Sequence, residues 1–123
     1  MNDKDRKHFE QRLQQERARI QETLRQSDET ARTSAMDDGD LTNHSQHQAD
    51  DGTDTMEQEK ALMLLGQETA LLSQVDDALE RLIREPENFG RCAECGTELE
   101  RERLELLPWA THCVECQSAL ETG

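Results

Sequence analysis

CAECGTELERERLELLPWATHCVEC, residues 92–116, decides how this chain folds. Two C-x-x-C pairs, Cys92/Cys95 and Cys113/Cys116, stand seventeen residues apart. That spacing suits a single tetrahedral metal site, in which each pair wraps its backbone round the ion and points two thiolates inward. The two halves also resemble each other, CAECGTEL against CVECQSAL, and Gly96 follows the first pair where a positive φ is often needed. Four thiolates fill the shell of Zn2+ and leave no position for water or substrate, so the expected role is one structural Zn2+ and not catalysis. A thioredoxin-like reading of either pair lacks a βαβ setting and leaves the duplication unexplained. His112, beside Cys113, is expected to be a bystander because the cysteines already supply four ligands.

A metal is also what the composition calls for. Leu, Ile, Val and Phe make up only 21 of 123 residues, against 28 acidic and 14 basic side chains and a net charge of −14. Such a chain cannot fill a wide core. It can fill a narrow seam between two helices, or let a metal replace part of a core. The charge also argues against nucleic acid or an anionic membrane as a direct partner. No apolar run approaches the ~20 residues of a membrane span, and the start, MNDKDRKHFEQRL, has no signal-like apolar region, so a cytoplasmic protein is expected. In that reducing compartment cysteines serve metals better than disulfides. No Ser/His/Asp arrangement or Gly-rich phosphate loop points to an enzyme.

Upstream of the cysteines, Leu65, Leu72 and Leu79 recur every seven residues, with Glu68, Val75 and Leu82 at the complementary heptad position. Leu64, Leu71 and Ala78 form a parallel row, wider than a two-stranded seam needs, which the C-terminal segment is expected to cover. Gly66 interrupts this helix at a cost of about 1 kcal/mol relative to Ala. In the first arm Phe9, Leu13, Ile20 and Leu24 recur at helical spacing with no Gly or Pro before Gly39. Neither helix can bury its stripe alone. One connecting loop favours an antiparallel hairpin within the chain over a rod that dimerises through the same stripes.

Between the helices, residues 34–59 hold eight acids and no Lys or Arg, in a stretch rich in Asp, Asn, Ser, Thr and Gly. His44 and His47, near Asp50 and Asp51, read there as polar loop residues rather than a second metal site. The expected fold is mainly α: a long antiparallel helical hairpin (coiled coil) on a small four-cysteine zinc-finger base with a short C-terminal helix. The expected divisions are residues 1–33 for the first helix, 34–54 for an acidic tip loop, 55–88 for the second helix, and 89–123 for the finger and C-terminal helix.

With those residues in place, NFGRCAECGTELERERLELLPWATHCVECQ resembles the zinc-finger signature of the DksA/TraR family of bacterial RNA-polymerase-binding regulators. Residues 47–82 resemble the family's coiled-coil tip and returning helix, so the likeness spans about 70 residues. The resemblance implies a stress-response factor that binds RNA polymerase directly, inserts its tip through the secondary channel and modulates initiation without binding promoter DNA. It would act as a monomer, with an alarmone nucleotide, guanosine tetraphosphate, as a candidate further partner. The family's tip pattern, Asp-x-x-Asp-x-Ala, maps onto Asp51, Asp54 and Met56, with Met56 standing where the family has alanine. Two other classes compete. One is a thiol-based redox sensor in which oxidation releases the metal, and the other is a structural zinc and coiled-coil adaptor for another protein.

Overall fold

The computed structural model of the chain describes residues 1–38 and 51–122. Four helices follow in order: α1 (Asp3–Asp38), α2 (Asp51–Arg84), α3 (Arg101–Leu106) and α4 (Val114–Thr122). The first two are the arms of the expected antiparallel hairpin, and the last two belong to its four-cysteine base. Among the described residues the only β pairing is an isolated antiparallel bridge between Arg91 and Glu98.

Both long helices run into the stretch whose composition predicts a loop. α1 continues through residues 34–38 and α2 begins at Asp51, so residues 51–54 are also helical. Local chemistry accounts for this. Ala35 and Met36 are good helix formers, and Asp51 and Asp54 bring negative charge to the N-terminal turn, where the helix dipole favours it. Residues 39–50, with His44, His47 and Asp50, lie outside the described residues.

α1 starts on a cap that its sequence also carries. The Asn2 side chain accepts a hydrogen bond from the Asp5 backbone N–H (2.8 Å), and Asp3 and Asp5 occupy the first turn. α2 ends at Arg84, two residues before Pro86, which cannot continue a helix. Arg81 and Arg84 sit in its last turn, where basic charge is favoured.

The chain divides into two compact units. Met1–Ala18 and Ser73–Gly123 form one, and it contains most of the core. Phe9 and Leu13 from α1 are buried there with Val75, Ala78 and Leu82 from α2 and Phe89, Leu99, Leu104 and Pro108 from the base. The rings of Phe9 and Phe89 lie 6.0 Å apart and tilted at 47°. Burying a side chain of this size is worth roughly 1.5–3 kcal/mol, so a few such residues carry the unit. Polar contacts fasten α1 to α3. His8 Nε2 is 2.9 Å from both carboxylate oxygens of Glu105, Arg101 donates to Asp5 at 2.8 Å, and the Arg101 guanidinium lies 5.6 Å from the centre of the Phe9 ring. The His8 hydrogen bond lowers the Glu105 carboxyl below its usual range, and the Arg101 hydrogen bond does the same for Asp5. Arg17 pairs with Asp76 across the two long helices at 2.6 Å.

Arg19–Leu72 form the other unit. Ile20 is fully buried in it, while Leu24, Leu65, Glu68 and Leu72 are half-buried along the predicted seam. Arg19 meets Glu68 at 3.4 Å, so a charge at a heptad position is answered from the opposite helix. The accessory row is unevenly covered: Ala78 is fully buried, Leu71 half-buried and Leu64 half exposed. The C-terminal segment reaches α2 at Gln74, where Leu107, Trp109 and Val114 line the same cleft.

Candidate metal centre

The base owes its shape to short-range backbone pairing. Gly90 and Gly96 both take positive φ, +80° and +75°, which only glycine adopts without strain. At Gly90 there is a second demand for glycine, because an added Cβ would come within 3.0 Å of the Met1 side chain and 3.3 Å of Leu104. Gly96 closes the first knuckle by donating to the Cys92 carbonyl (3.0 Å), while Cys92 donates to the Thr97 carbonyl (2.9 Å). The two knuckles are tied together where the Ala93 N–H donates to the Thr111 carbonyl at 2.8 Å. Arg103 Nε adds a hydrogen bond to the His112 carbonyl at 3.0 Å. The second knuckle lies at the entrance to α4, with Cys113 just before the helix and Cys116 in its first turn. There the Cys116 N–H points at Cys113 Sγ, 3.4 Å away.

These constraints bring all four predicted cysteines together. Their sulfurs lie within 4.8 Å of one another, and Cys95 and Cys113 approach to 3.8 Å. A tetrahedron with Zn–S bonds of about 2.3 Å has sulfurs about 3.8 Å apart. The donor set therefore fits Zn2+ in number, chemistry and spacing. Electrostatics points the same way. Backbone N–H groups of Cys95 and Cys113 bring the Cys92 thiol down to about 6, and the Thr97 hydroxyl, 3.2 Å from Cys95 Sγ, lowers Cys95. Cys116 goes strongly up, because its hydrogen bonds to the Cys113 and Cys92 sulfurs favour the protonated thiol. Four sulfurs this close cannot all be negative on their own, and a divalent cation lets them be. Cys92 is buried, Cys113 and Cys116 are half-buried, and Cys95 is exposed.

His112 is directed elsewhere, with Nδ1 2.8 Å from the Thr111 hydroxyl and Nε2 3.9 Å from Glu94. Of the three tip residues, Asp51 opens α2, Asp54 lies in its first turn, and Met56 stands further along the helix, 72% exposed. Thr97 and Arg103 support the centre without having stood out in the sequence. Thr97 is signalled by its place two residues after Cys95. Arg103 acts on a carbonyl nine residues away, for which no local pattern exists.

Residues 87–121 match the family described as the prokaryotic dksA/traR C4-type zinc finger. The match covers the finger segment of this chain and not its two long helices. The four-cysteine centre accordingly holds one structural zinc. The chain is 35% identical over 54 residues to the RNA polymerase-binding transcription factor DksA of Escherichia coli, and equally to that of Salmonella typhimurium. The aligned stretch is 44% of this chain but only 34%, about a third, of those relatives' length. The structural likeness is longer. Transcription factor DksA2 from Pseudomonas aeruginosa superposes with a TM-score of 0.70 at 28% identity, covering 99% of this chain and 87% of the other. An RNA polymerase-binding protein and transcriptional regulator from Chlamydia trachomatis shares the fold, with a TM-score of 0.59 at 24% identity over 100% of this chain and 94% of its own.

Proposed function

We propose that this chain is a zinc-containing transcription regulator that binds RNA polymerase directly, through the secondary channel, and modulates initiation without binding promoter DNA. The observation that carries this reading is the pairing of a closed four-thiol centre with a two-helix arm, in an arrangement that a named transcription factor shares along 99% of this chain. A four-cysteine centre offers zinc no open coordination position, which suits a scaffold better than an enzyme. Cys92, Cys95, Cys113 and Cys116 are the proposed ligands.

In the proposed organisation the finger over residues 89–123 and the two long helices, α1 and α2, provide the body. The acidic segment 34–54 is the tip. The eight acids of residues 34–59 and the net charge of −14 favour approach to basic protein surfaces and bound magnesium over approach to DNA phosphates. Asp51 and Asp54 are the proposed acting residues, with Met56 beside them. A cytoplasmic monomer is the proposed working form, and an alarmone nucleotide the candidate co-ligand. Among the described residues no helix is long and apolar enough to cross a membrane.

Asp54→Asn tests the reading by separating binding from action. The substitution keeps the shape and the capacity to cap a helix while removing one charge. The variant is expected to bind core RNA polymerase within about twofold of the parent, because one exposed charge contributes little to a large interface. It should lose most of its effect on initiation in a purified transcription assay. Asp50→Asn, outside the matched pattern, is the control and should retain activity. Parent-like activity in Asp54→Asn would remove that residue from the proposed tip. The exposure of Cys95 favours a second reading, thiol-based sensing, which zinc release on mild peroxide with altered activity would distinguish.

A further inference from the structure

A cleft of about 370 Å3 opens beside the first knuckle, lined by Arg81 and Glu85 of α2, Asn88, Arg91, Cys92 and Gly96 among others. In a chain of net charge −14 it gathers two guanidiniums beside a buried cysteine. Neither guanidinium is neutralised by a carboxylate at hydrogen-bonding distance. Arg91 spends its donors on backbone carbonyls, Nε on Glu87 (3.2 Å) and Nη1 on Gly96 (3.4 Å), which hold it over the knuckle with its charge intact. Arg81 is half-buried and, among the described residues, its guanidinium makes no hydrogen bond or ion pair. Burial lowers its pKa, and the attraction of Asp77 and Glu85, one helical turn away on either side, does not offset this. A half-buried guanidinium with unused donors calls for negative charge nearby.

The cleft wall supplies it. Four thiolates around one Zn2+ carry a formal charge of −2, and Cys92 is part of that wall. Concentrating this charge at the base of an acidic protein is costly unless positive charge stands close by. We propose that Arg81 and Arg91 are positioning residues for the zinc–thiolate centre, a pair of fixed positive charges that offsets its negative charge and slows loss of the metal. This rests on the assignment of zinc to the four cysteines.

Zinc transfer from the loaded full-length protein to an excess of a chromogenic chelator tests the proposal. The parent is compared with Arg81→Gln, Arg91→Gln, the double variant, Arg81→Lys and Arg84→Gln. Arg84 occupies the same helical turn but is exposed and already paired with Glu80 at 2.9 Å, so its loss changes net charge by the same amount without touching the cleft. The double variant should release zinc about tenfold faster than the parent, each single variant about threefold faster, and the excess should shrink at high salt. Arg81→Lys should stay near the parent, since it keeps the charge, and Arg84→Gln should stay within about twofold. Far-ultraviolet circular dichroism of the zinc-loaded single variants should match the parent. Parent-like release in the double variant overturns the proposal, as does an equal acceleration in Arg84→Gln, which would make net charge the cause. Should the double variant fail to fold, the single variants and Arg81→Lys decide between the same outcomes. A parent protein that carries no zinc fails at the first metal measurement, which separates failure of the zinc assignment from failure of the arginine pair.

Discussion

Val75→Asp should cost most of the stability of the fold. Val75 is fully buried, in the same compact unit as Phe9 and Leu13 of α1, which are as thoroughly enclosed. A carboxylate there must either lose its hydration or open the seam, at about 3–5 kcal/mol. Against the roughly 5–15 kcal/mol available to a small protein, that is a large fraction. Thermal melts followed by circular dichroism should show a midpoint lowered by well over ten degrees, or a chain largely unfolded at 25 °C. The heptad pattern also predicts a gradient. Leu72→Asp should be milder, because Leu72 is only half-buried, and Met63→Asp, at a position 64% exposed, should fall within about 0.5 kcal/mol of the parent. Equal effects at all three positions would mean that the seam is misassigned.

The second large effect is expected from removing a single sulfur. Between Pro86 and Cys113 the chain has one isolated bridge and one six-residue helix, too little regular structure to hold itself together. The buried side chains of this region, Phe89, Leu99, Leu104 and Pro108, should therefore lose their packing when the knuckles open. Metal binding in such modules is worth about 10–16 kcal/mol in apparent free energy near neutral pH, and it is folding free energy. Cys92→Ser should therefore lower bound zinc from one per chain to nearly none after dialysis. Amide hydrogen exchange over residues 86–122 should accelerate by orders of magnitude, with less change in the middle of α1 and α2, where helix–helix contacts remain. Chelation of the parent protein should reproduce the pattern. A fully reduced variant that stays protected over residues 86–122 without metal would show that the base folds on its own apolar contacts.

Much of this architecture was legible because its determinants are periodic or local. The heptads at Leu65, Leu72 and Leu79 and at Glu68, Val75 and Leu82 set one face of α2, and all six residues are buried or half-buried. The cysteine spacing identified a four-ligand centre because two knuckles of this kind have few other uses. Helix ends were harder to place. Residues 34–38 and 51–54 look like loop by composition, yet the helix formers Ala35 and Met36 carry α1 onward and the charges of Asp51 and Asp54 suit the N-terminal turn of α2. Least legible were the long-range polar contacts. His8 with Glu105 and Arg101 with Asp5 join residues more than ninety positions apart, and only the folded hairpin makes them neighbours. The partial cover of the row at Leu64, Leu71 and Ala78 had the same origin, because a short C-terminal segment can shield only part of a helix this long.

The central claim, a zinc-braced arm that engages polymerase, is tested most directly by titrating the zinc-loaded full-length chain against purified core RNA polymerase and measuring binding in the absence of DNA. A saturable complex with one chain per polymerase is predicted, weakened strongly by chelation or by Cys92→Ser and little by Asp54→Asn. No saturable binding by a protein shown to be folded and zinc-loaded would contradict the account.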